Sequence, residues 1–345
     1  MQASVEVLSP SEAARSLGIS AKALRIYEAR GLLRPTRTAT GWRAYGPEEL
    51  RRAAEVAALR SLGFSLVQVE RVLGGVAEGL EPALADLQAR LEAESGKVGG
   101  RLEKVRDLRR ALAQGRMPAL SELAGLGPVA SEPMAVFDLP WPWGGERFEL
   151  LGVRPLTYIT GPLGSGKTRI ALAIARHLPG AAFVGLERIE RLADVRREME
   201  ADQDWSQRVE ASCAWLSEDG AAMSDALVAL VISLERRPEA ILVIDVIEQG
   251  LDEMAQHALI AHLRRRGPER APLFMLTRSS AILDLATATS DEAVIFCPAN
   301  HSSPYTVRLV SGAPGFEAMA SCLGTPEARA RTAGMTAAMP ERASA

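Results

Sequence analysis

A glycine-rich segment restricts the fold of this 345-residue chain more than any other feature. The sequence LTYITGPLGSGKTRIALAIARHL contains Gly161-x₄-Gly166-Lys167-Thr168 between an apolar stretch typical of a strand and an amphipathic helical pattern. Glycines let backbone N–H groups face phosphates, and a helix N-terminus adds positive potential there. The pattern predicts an α/β domain with a P-loop, against the alternative of a fortuitous glycine-rich loop. The expected nucleotide contacts are Gly161, Gly164, Ser165, Gly166, Lys167 and Thr168.

The expected cofactors are ATP and Mg²⁺. Lys167 would reach the β- and γ-phosphates, and the Thr168 hydroxyl would contact the metal ion. A second apolar stretch, ILVID, ends at Asp245, which we expect to help hold the same ion. These assignments make Thr168 and Asp245 the candidate metal ligands.

The residue after Asp245 bears on hydrolysis. Val246 cannot accept a proton from water, and the nearest glutamate is Glu248. If the strand continued in extended form, Glu248 would lie about 6–7 Å further along it, too far to act directly. The sequence therefore predicts slow or no hydrolysis, with Glu248 as the candidate base only if the chain curls back.

Composition and charge narrow the class of protein. No apolar run approaches the roughly 20 residues needed to cross a bilayer, and the first residues lack a signal-peptide pattern, so we expect a cytoplasmic protein without membrane contact. Three scattered cysteines exclude a disulfide framework or zinc knuckle. Through residue 116 there are 19 Lys and Arg against 14 Asp and Glu, leaving 21 against 29 in the remainder. A basic N-terminal third is weak evidence for a polyanionic partner.

Capping signals at the N-terminal end predict two short helices. SPSE at 9–12 contains a capping box with proline at the first helical position, and Gly18 can end that helix. Ser20 can cap a second helix that runs to Gly31. Two helices joined in this way predict a helix-turn-helix. Such a helix pair is as often purely structural as it is DNA-binding.

The residues that follow decide between these alternatives. The motif string LRIYEARGLLRP…GWRAY…LRSLGFSLVQVERVL resembles the MerR family of transcription regulators over residues 5–112. This resemblance implies a winged helix-turn-helix, double-stranded promoter DNA and RNA polymerase as partners, and a regulatory function. By the same resemblance the recognition helix and the wing contact DNA. The implied DNA-binding residues are Lys22, Arg25, Arg43 and Tyr45.

An apolar heptad follows the predicted fourth helix. Leu84, Leu91, Val98, Val105 and Leu112 recur every seven residues. In the MerR family the corresponding long helix forms an antiparallel dimer, so residues 80–114 are expected to form a coiled coil that makes a homodimer. Metal-sensing relatives place cysteines around this helix. This chain has none before Cys213, so metal sensing is not expected.

The order of motifs in the C-terminal part resembles the ATP-binding-cassette class, especially its soluble SMC/RecF-like branch. Leu216, Ser217 and Gly220 of LSEDG are taken to open a helix as a degenerate signature, so that Ser217 and Gly220 contact nucleotide. The alternative is a plain helix cap. Arg278 stands where that class places its switch histidine.

The predicted fold class is an N-terminal all-α winged helix-turn-helix with a long dimerisation helix, followed by an ABC-like α/β P-loop NTPase domain. The expected function is a MerR-type regulator in which ATP modulates promoter binding or distortion. The alternatives are an active P-loop ATPase or small-molecule kinase with an autoregulatory DNA-binding domain, and a protein that organises DNA structurally. The expected domains are 1–76 (DNA-binding), 80–114 (dimerisation helix), 115–150 (linker and first strand), 151–312 (P-loop) and 313–345 (partly disordered tail).

Overall fold

The computed structural model describes residues 7–38, 40–117, 134–151, 153–266, 270–289, 291–310 and 312–324. Residues 118–133 of the expected linker and residues 325–345 of the expected C-terminal tail lie outside these ranges. None of the described helices is long and apolar enough to cross a membrane.

The N-terminal part contains four short helices and a two-stranded wing. Ser9 caps the first helix with the expected capping box, and Gly18 ends it in a left-handed conformation. Ser65 and Gln68 form a second capping box at the fourth helix. The elements are α1 (Pro10–Leu17), α2 (Ala21–Ala29), β1 (Thr36–Arg37), β2 (Arg43–Ala44), α3 (Pro47–Ser61) and α4 (Leu66–Leu73). Leu24, Tyr27, Tyr45, Val56 and Val69 are among the side chains that form their common core.

A long helix, α5 (Leu80–Ala113), follows this domain. Its heptad row is largely exposed to solvent, since Leu84, Leu91, Val98 and Leu112 are each about half accessible. Leu108, which lies between Val105 and Leu112 of this row, is buried. A row of exposed apolar side chains along one helix is what a coiled-coil partner would cover.

The C-terminal part is a parallel sheet with helices on both faces and one antiparallel edge strand. Its strand order is β10-β9-β5-β8-β7-β6, and only β10 runs antiparallel to its neighbour. Ile159 at the end of β5 pairs with Leu276 of β8, and Ile244 of β7 pairs with Met275. The strands are β5 (Leu156–Thr160), β6 (Ala182–Val184), β7 (Leu242–Ile244), β8 (Leu273–Leu276), β9 (Glu292–Phe296) and β10 (Tyr305–Val307).

The carboxyl ends of β5, β7 and β8 therefore meet at one edge of the sheet, where ligands of open α/β sheets bind. Strands β5, β7 and β8 are fully buried, and apolar side chains pack against both faces of the sheet. The helices of this part are α6 (Lys167–His177), α7 (Leu192–Glu200), α8 (Gln203–Glu218), α9 (Asp225–Arg236), α10 (Glu253–Arg265) and α11 (Phe316–Ser321).

Two segments differ from the expectation. The sequence predicted a single strand at the end of the linker, whereas the structure has a hairpin, β3 (Ala135–Asp138) and β4 (Arg147–Leu150). Alternation of polar and apolar residues in Arg147–Leu150, after Gly144 and Gly145, is the sequence signal that was missed, and burial alternates in both strands. Residues 316–321 form a helix whose Met319 is buried, because the chain here packs on the main core instead of leaving it.

The exposed heptad row yields a prediction about assembly. Leu91→Asp combined with Val98→Asp would place like charges in an apolar seam, so the double variant should sediment as a monomer at concentrations where the wild type is a dimer. Arg106→Asp, one position from the row on an exposed part of α5, should leave the sedimentation coefficient unchanged. A dimeric double variant would place the dimer interface outside α5.

Candidate functional site

The P-loop turns between β5 and α6 through three glycines with positive φ. Gly161 (φ 153°), Gly164 (φ 79°) and Gly166 (φ 88°) adopt backbone conformations that side chains disfavour. A Cβ on Gly161 would overlap the Cys297 carbonyl oxygen, and one on Gly166 would lie 2.5 Å from the Trp143 ring. The glycines therefore have two roles: they allow the loop to turn, and they leave room for the groups that pack closely against it.

Lys167 and Ser165 face the interior of the loop. The Lys167 ammonium donates to the carbonyl oxygens of Gly161 at 3.0 Å and Pro162 at 2.6 Å. Burial lowers the pKa of Lys167 to about 8, and the nearby positive charge of Arg278 acts in the same direction. Ser165 is buried, and its hydroxyl has no hydrogen-bond partner among the described residues. A cation and an unsatisfied donor beside a helix N-terminus form an environment suited to an anion.

The expected metal ligands meet across the sheet edge. The Thr168 hydroxyl lies 3.2 and 3.4 Å from the two carboxylate oxygens of Asp245. Burial raises the pKa of the Asp245 carboxyl, whereas the Thr168 hydrogen bond and the Arg188 charge act in the opposite direction. A hydroxyl and a carboxylate are ligands that Mg²⁺ prefers, and Mg²⁺ takes its remaining oxygens from phosphates and water. This pair therefore fits a magnesium ion held jointly with nucleotide phosphates.

The chain reverses direction directly after Asp245. Strand β7 ends at Ile244, and Val246 has a φ of 41°, which is unusual for a β-branched residue. Such a conformation costs about 1–3 kcal/mol and is found at functional sites. Of the two conformations considered for this segment, the extended strand and the chain that curls back, the backbone adopts the second, because it enters a turn at Val246.

The side chains of Arg188 and Glu248 make hydrogen bonds at this turn. Arg188, which is buried, donates to the carbonyl oxygens of Asp245 at 2.9 Å and Val246 at 2.8 Å. Glu248 is buried at the same edge, and its Oε1 accepts a hydrogen bond from the Arg278 amide at 3.2 Å. The turn thus brings the candidate base to the segment that follows β8, which the sequence alone did not show.

The signature-like residues lie elsewhere than expected. Ser217 stands in the last turn of α8, and Gly220 (φ 98°) follows its end, so LSEDG closes a helix instead of opening one. A helix C-terminus carries partial negative charge, and Glu218 and Asp219 add to it. The expectation that LSEDG opens a helix is therefore wrong, whereas a nucleotide contact of Ser217 and Gly220 stays a prediction. The next helix N-terminus in this region is that of α9, which Ser224 caps.

Two residues near the loop were missed. Trp141, in the β3–β4 connection, is 57% exposed, and its ring centroid lies 4.8 Å from the Arg169 guanidinium carbon. Arg169 stands in the first turn of α6, so the indole presents a face beside the P-loop on which a planar base could stack. The second residue that was missed is Arg188. The tryptophans of the sequence WPWGG were the only signal for the first, and nothing marked the second.

The expected DNA-binding residues differ in accessibility. Arg25 is exposed on α2, and Arg43 of the wing pairs with Glu28 of α2, which also accepts a hydrogen bond from Arg37 at 3.3 Å. Glu28 therefore joins the wing to the second helix. Tyr45 is fully buried in the N-terminal core, so the expectation that it contacts DNA is wrong and its role is packing.

Comparison with known proteins identifies the N-terminal part. Residues 8–75 match the MerR HTH family regulatory proteins. An HTH-type transcriptional regulator of Pseudomonas aeruginosa is 34% identical over 102 residues, which cover 29% of this chain and 76% of that protein. A probable heavy metal-dependent transcriptional regulator of Haemophilus influenzae is 42% identical over 64 residues, 18% of this chain and half of that protein.

These matches define a helix-turn-helix regulatory protein. The chain belongs to the MerR family, and the region of similarity is its N-terminal third. It spans only half the length of the Haemophilus relative.

Similarity to solved structures is weak in both parts. The MerR regulator HiNmlR bound to promoter DNA covers 32% of this chain at 24% identity, with 92% of its own chain matched and a TM-score of 0.24. An ATP-binding subunit of an ABC transporter covers 59% of this chain at 16% identity, with 94% of its own chain matched and a TM-score of 0.34. Scores this low do not establish a function.

The P-loop geometry generates a binding prediction. Lys167→Ala removes the only side chain assigned to the phosphates as a cation, so a fluorescent ATP analogue should bind at least about tenfold more weakly. Arg176→Ala, on the exposed side of the same helix, should bind the analogue as the wild type does. Equal affinity of Lys167→Ala and wild type in an equilibrium titration would contradict the P-loop assignment.

Proposed function

We propose that this protein is a homodimeric DNA-binding transcription regulator whose P-loop domain binds ATP and Mg²⁺, and that nucleotide occupancy modulates promoter binding or distortion. Hydrolysis is slow or absent in this proposal. Its partners are double-stranded promoter DNA and the RNA polymerase that uses the promoter, and its location is the cytoplasm, where bacterial regulators meet DNA. The observation that carries the proposal is that one chain joins a MerR-family domain to a P-loop domain. In the P-loop domain Lys167 and Thr168 of the loop lie close to Asp245, which follows β7.

The chain's own residues have separate roles. Arg25 and Arg43 supply positive charge at the second helix and the wing, where phosphates fix a protein on the duplex. Lys167 and the P-loop amides bind nucleotide phosphates, and Thr168 and Asp245 orient the metal ion. When bound, the ion neutralises phosphate charge. The exposed apolar row of α5 supports dimerisation, which would place two DNA-binding domains on a two-fold site.

A second candidate function has one observation in its favour. Because the chain reverses at Val246 and buries Glu248 at the sheet edge, this carboxylate can approach the site from the turn. An active P-loop ATPase or small-molecule kinase with an autoregulatory DNA-binding domain would use such a base. The hydrogen bond from the Arg278 amide to Glu248 instead supports a positioning role in the regulator.

A footprint tests the main proposal directly. DNA upstream of the protein's own gene should show protection whose extent or affinity changes when ATP and Mg²⁺ are added. The Lys167→Ala variant should give the nucleotide-free pattern under both conditions. Identical protection by the wild type with and without nucleotide would contradict modulation by ATP.

Turnover distinguishes the two candidates. General-base catalysis is typically worth about 10²–10⁴-fold, so Glu248→Gln should lower the rate of phosphate release by that factor in an active ATPase. We expect a wild-type rate below about 1 s⁻¹, little change in Glu248→Gln and a faster rate in Val246→Glu, which places a carboxylate next to Asp245. A brisk wild-type rate that Glu248→Gln abolishes would establish the enzyme. Labelled ATP would show whether phosphate goes to water or to a small molecule.

The DNA surface yields a salt-dependence prediction. Arg25→Ala and Arg43→Ala should each weaken DNA binding, and removal of one phosphate contact should reduce the slope of log K against log salt by about one unit. Arg197→Ala, an exposed arginine on α7, is the matched control and should leave the slope unchanged. If both N-terminal variants kept the wild-type slope and affinity, the DNA-binding face would lie elsewhere.

A further inference from the structure

The DNA-binding domain is joined to the P-loop domain by a buried ion pair. Both terminal nitrogens of Arg60, in α3, donate to the Asp219 carboxylate at the end of α8. Nη1 donates to Oδ1, and Nη2 donates to Oδ2 at 2.9 Å. Asp219 is only 3% exposed and also accepts a hydrogen bond from the Leu66 amide at 2.9 Å. Burial raises the pKa of Asp219, whereas Arg60 lowers it. Removing one partner of such a pair leaves an uncompensated buried charge, so loss of either side chain destabilises this docking of the two domains.

Further contacts surround this pair. The Trp215 ring lies 5.7 Å from the Arg60 guanidinium carbon and 5.3 Å from that of Arg265, and its indole nitrogen donates to the Gly63 carbonyl oxygen at 3.3 Å. Gly220 meets Arg30 so closely that a Cβ there would overlap the guanidinium. Side chains and backbone from α2, α3 and the α3–α4 connection thus fit one continuous surface of the P-loop domain.

In the same arrangement Lys22 of the second helix contacts the P-loop domain. Lys22, in the first turn of α2, donates to the Ser280 hydroxyl at 3.0 Å and lies 3.8 Å from a Glu253 carboxylate oxygen. Residues at the N-terminal end of a recognition helix are the ones that contact base edges. In this arrangement the Lys22 ammonium contacts the P-loop domain instead of a duplex.

Both residues that hold Lys22 extend from the candidate nucleotide site. Ser280 is two positions beyond Arg278, whose amide binds Glu248. Glu253 begins α10, directly after the turn that Val246 starts, and Asp252 caps that helix. A change in the position of Arg278 or of this turn would therefore reach Lys22 through a short length of chain.

We propose that the P-loop domain is an autoinhibitory clamp on the DNA-binding domain, which holds Lys22 when no nucleotide is bound and releases it when nucleotide phosphates engage the loop. This inference rests on the proposed function for its trigger, but the clamp itself rests on the contacts of Lys22, Arg60 and Asp219 alone. Arg278 is close enough to Lys167 for its charge to lower the pKa of Lys167, so phosphates bound at the loop would attract Arg278 and act on the segment that carries Ser280, the partner of Lys22.

Asp219→Ala tests the clamp, because Asp219 belongs to neither the nucleotide site nor the DNA surface. Binding of a fluorescent duplex from upstream of the protein's own gene should tighten by about 5- to 150-fold without nucleotide, the usual range of coupling between sites. A non-hydrolysable ATP analogue with Mg²⁺ should tighten wild-type binding by a similar factor and leave Asp219→Ala unchanged. Glu210→Gln, an exposed acid on the same helix, is the control for removal of negative charge.

A milder variant and a second readout guard against misfolding. Glu253→Gln with Ser280→Ala removes only the partners of Lys22 and should also tighten DNA binding without nucleotide. In the wild type, hydrogen exchange at residues 60–66 and 215–220 should accelerate together when the analogue is added, because the Leu66 amide no longer has its Asp219 acceptor.

The clamp is overturned if both variants bind DNA as the wild type does in the absence of nucleotide, or if they bind more weakly while their exchange shows the domains separated. Failure of the proposed function gives a different result. In that case the wild type does not respond to the analogue, yet Asp219→Ala still binds DNA more tightly than the wild type.

Discussion

The register of three parallel strands is the constraint on which the candidate site depends. Because β5, β7 and β8 end at the same level, the P-loop, Asp245 and Arg278 emerge side by side although more than 100 residues separate the first from the last. Parallel pairing also buries these strands on both faces, so the polar groups at their ends are the first to meet solvent or ligand. The Thr168–Asp245 contact is a direct result of this arrangement.

The turn that follows Asp245 combines a strained backbone at Val246 with the charged side chains of Arg188 and Glu248. Val246 holds a left-handed conformation because Arg188 binds the carbonyl oxygens of Asp245 and Val246 and because Glu248 is buried behind the turn. Backbone strain of this kind is found at ligand clamps and switch regions, and here it lies beside the candidate nucleotide site. The neighbouring segment from Arg278 to Ser280 connects this turn to the DNA-binding domain through Lys22.

Local signals predicted the N-terminal domain in detail. Ser9 and Ser20 cap helices as expected, and Gly18 ends the first one, because capping is decided by residues within one turn of each other. The P-loop was predicted for the same reason. The errors involve longer range: Tyr45 is buried by packing, and LSEDG ends a helix because α8 extends further than its short motif indicated.

The sequence by itself determined which segments of the N-terminal domain are helices, the P-loop pattern that makes Lys167 and Thr168 candidates for phosphate and metal binding, and the resemblance to the MerR family. All of these depend on residues that are close along the chain. Only the tertiary structure decided that Glu248 turns back towards Arg278, that Arg188 supports the turn, and that Asp219 receives Arg60 from the other domain. These contacts join residues up to 159 positions apart, and their geometry is set by how the sheet and the two domains pack, which no local pattern encodes.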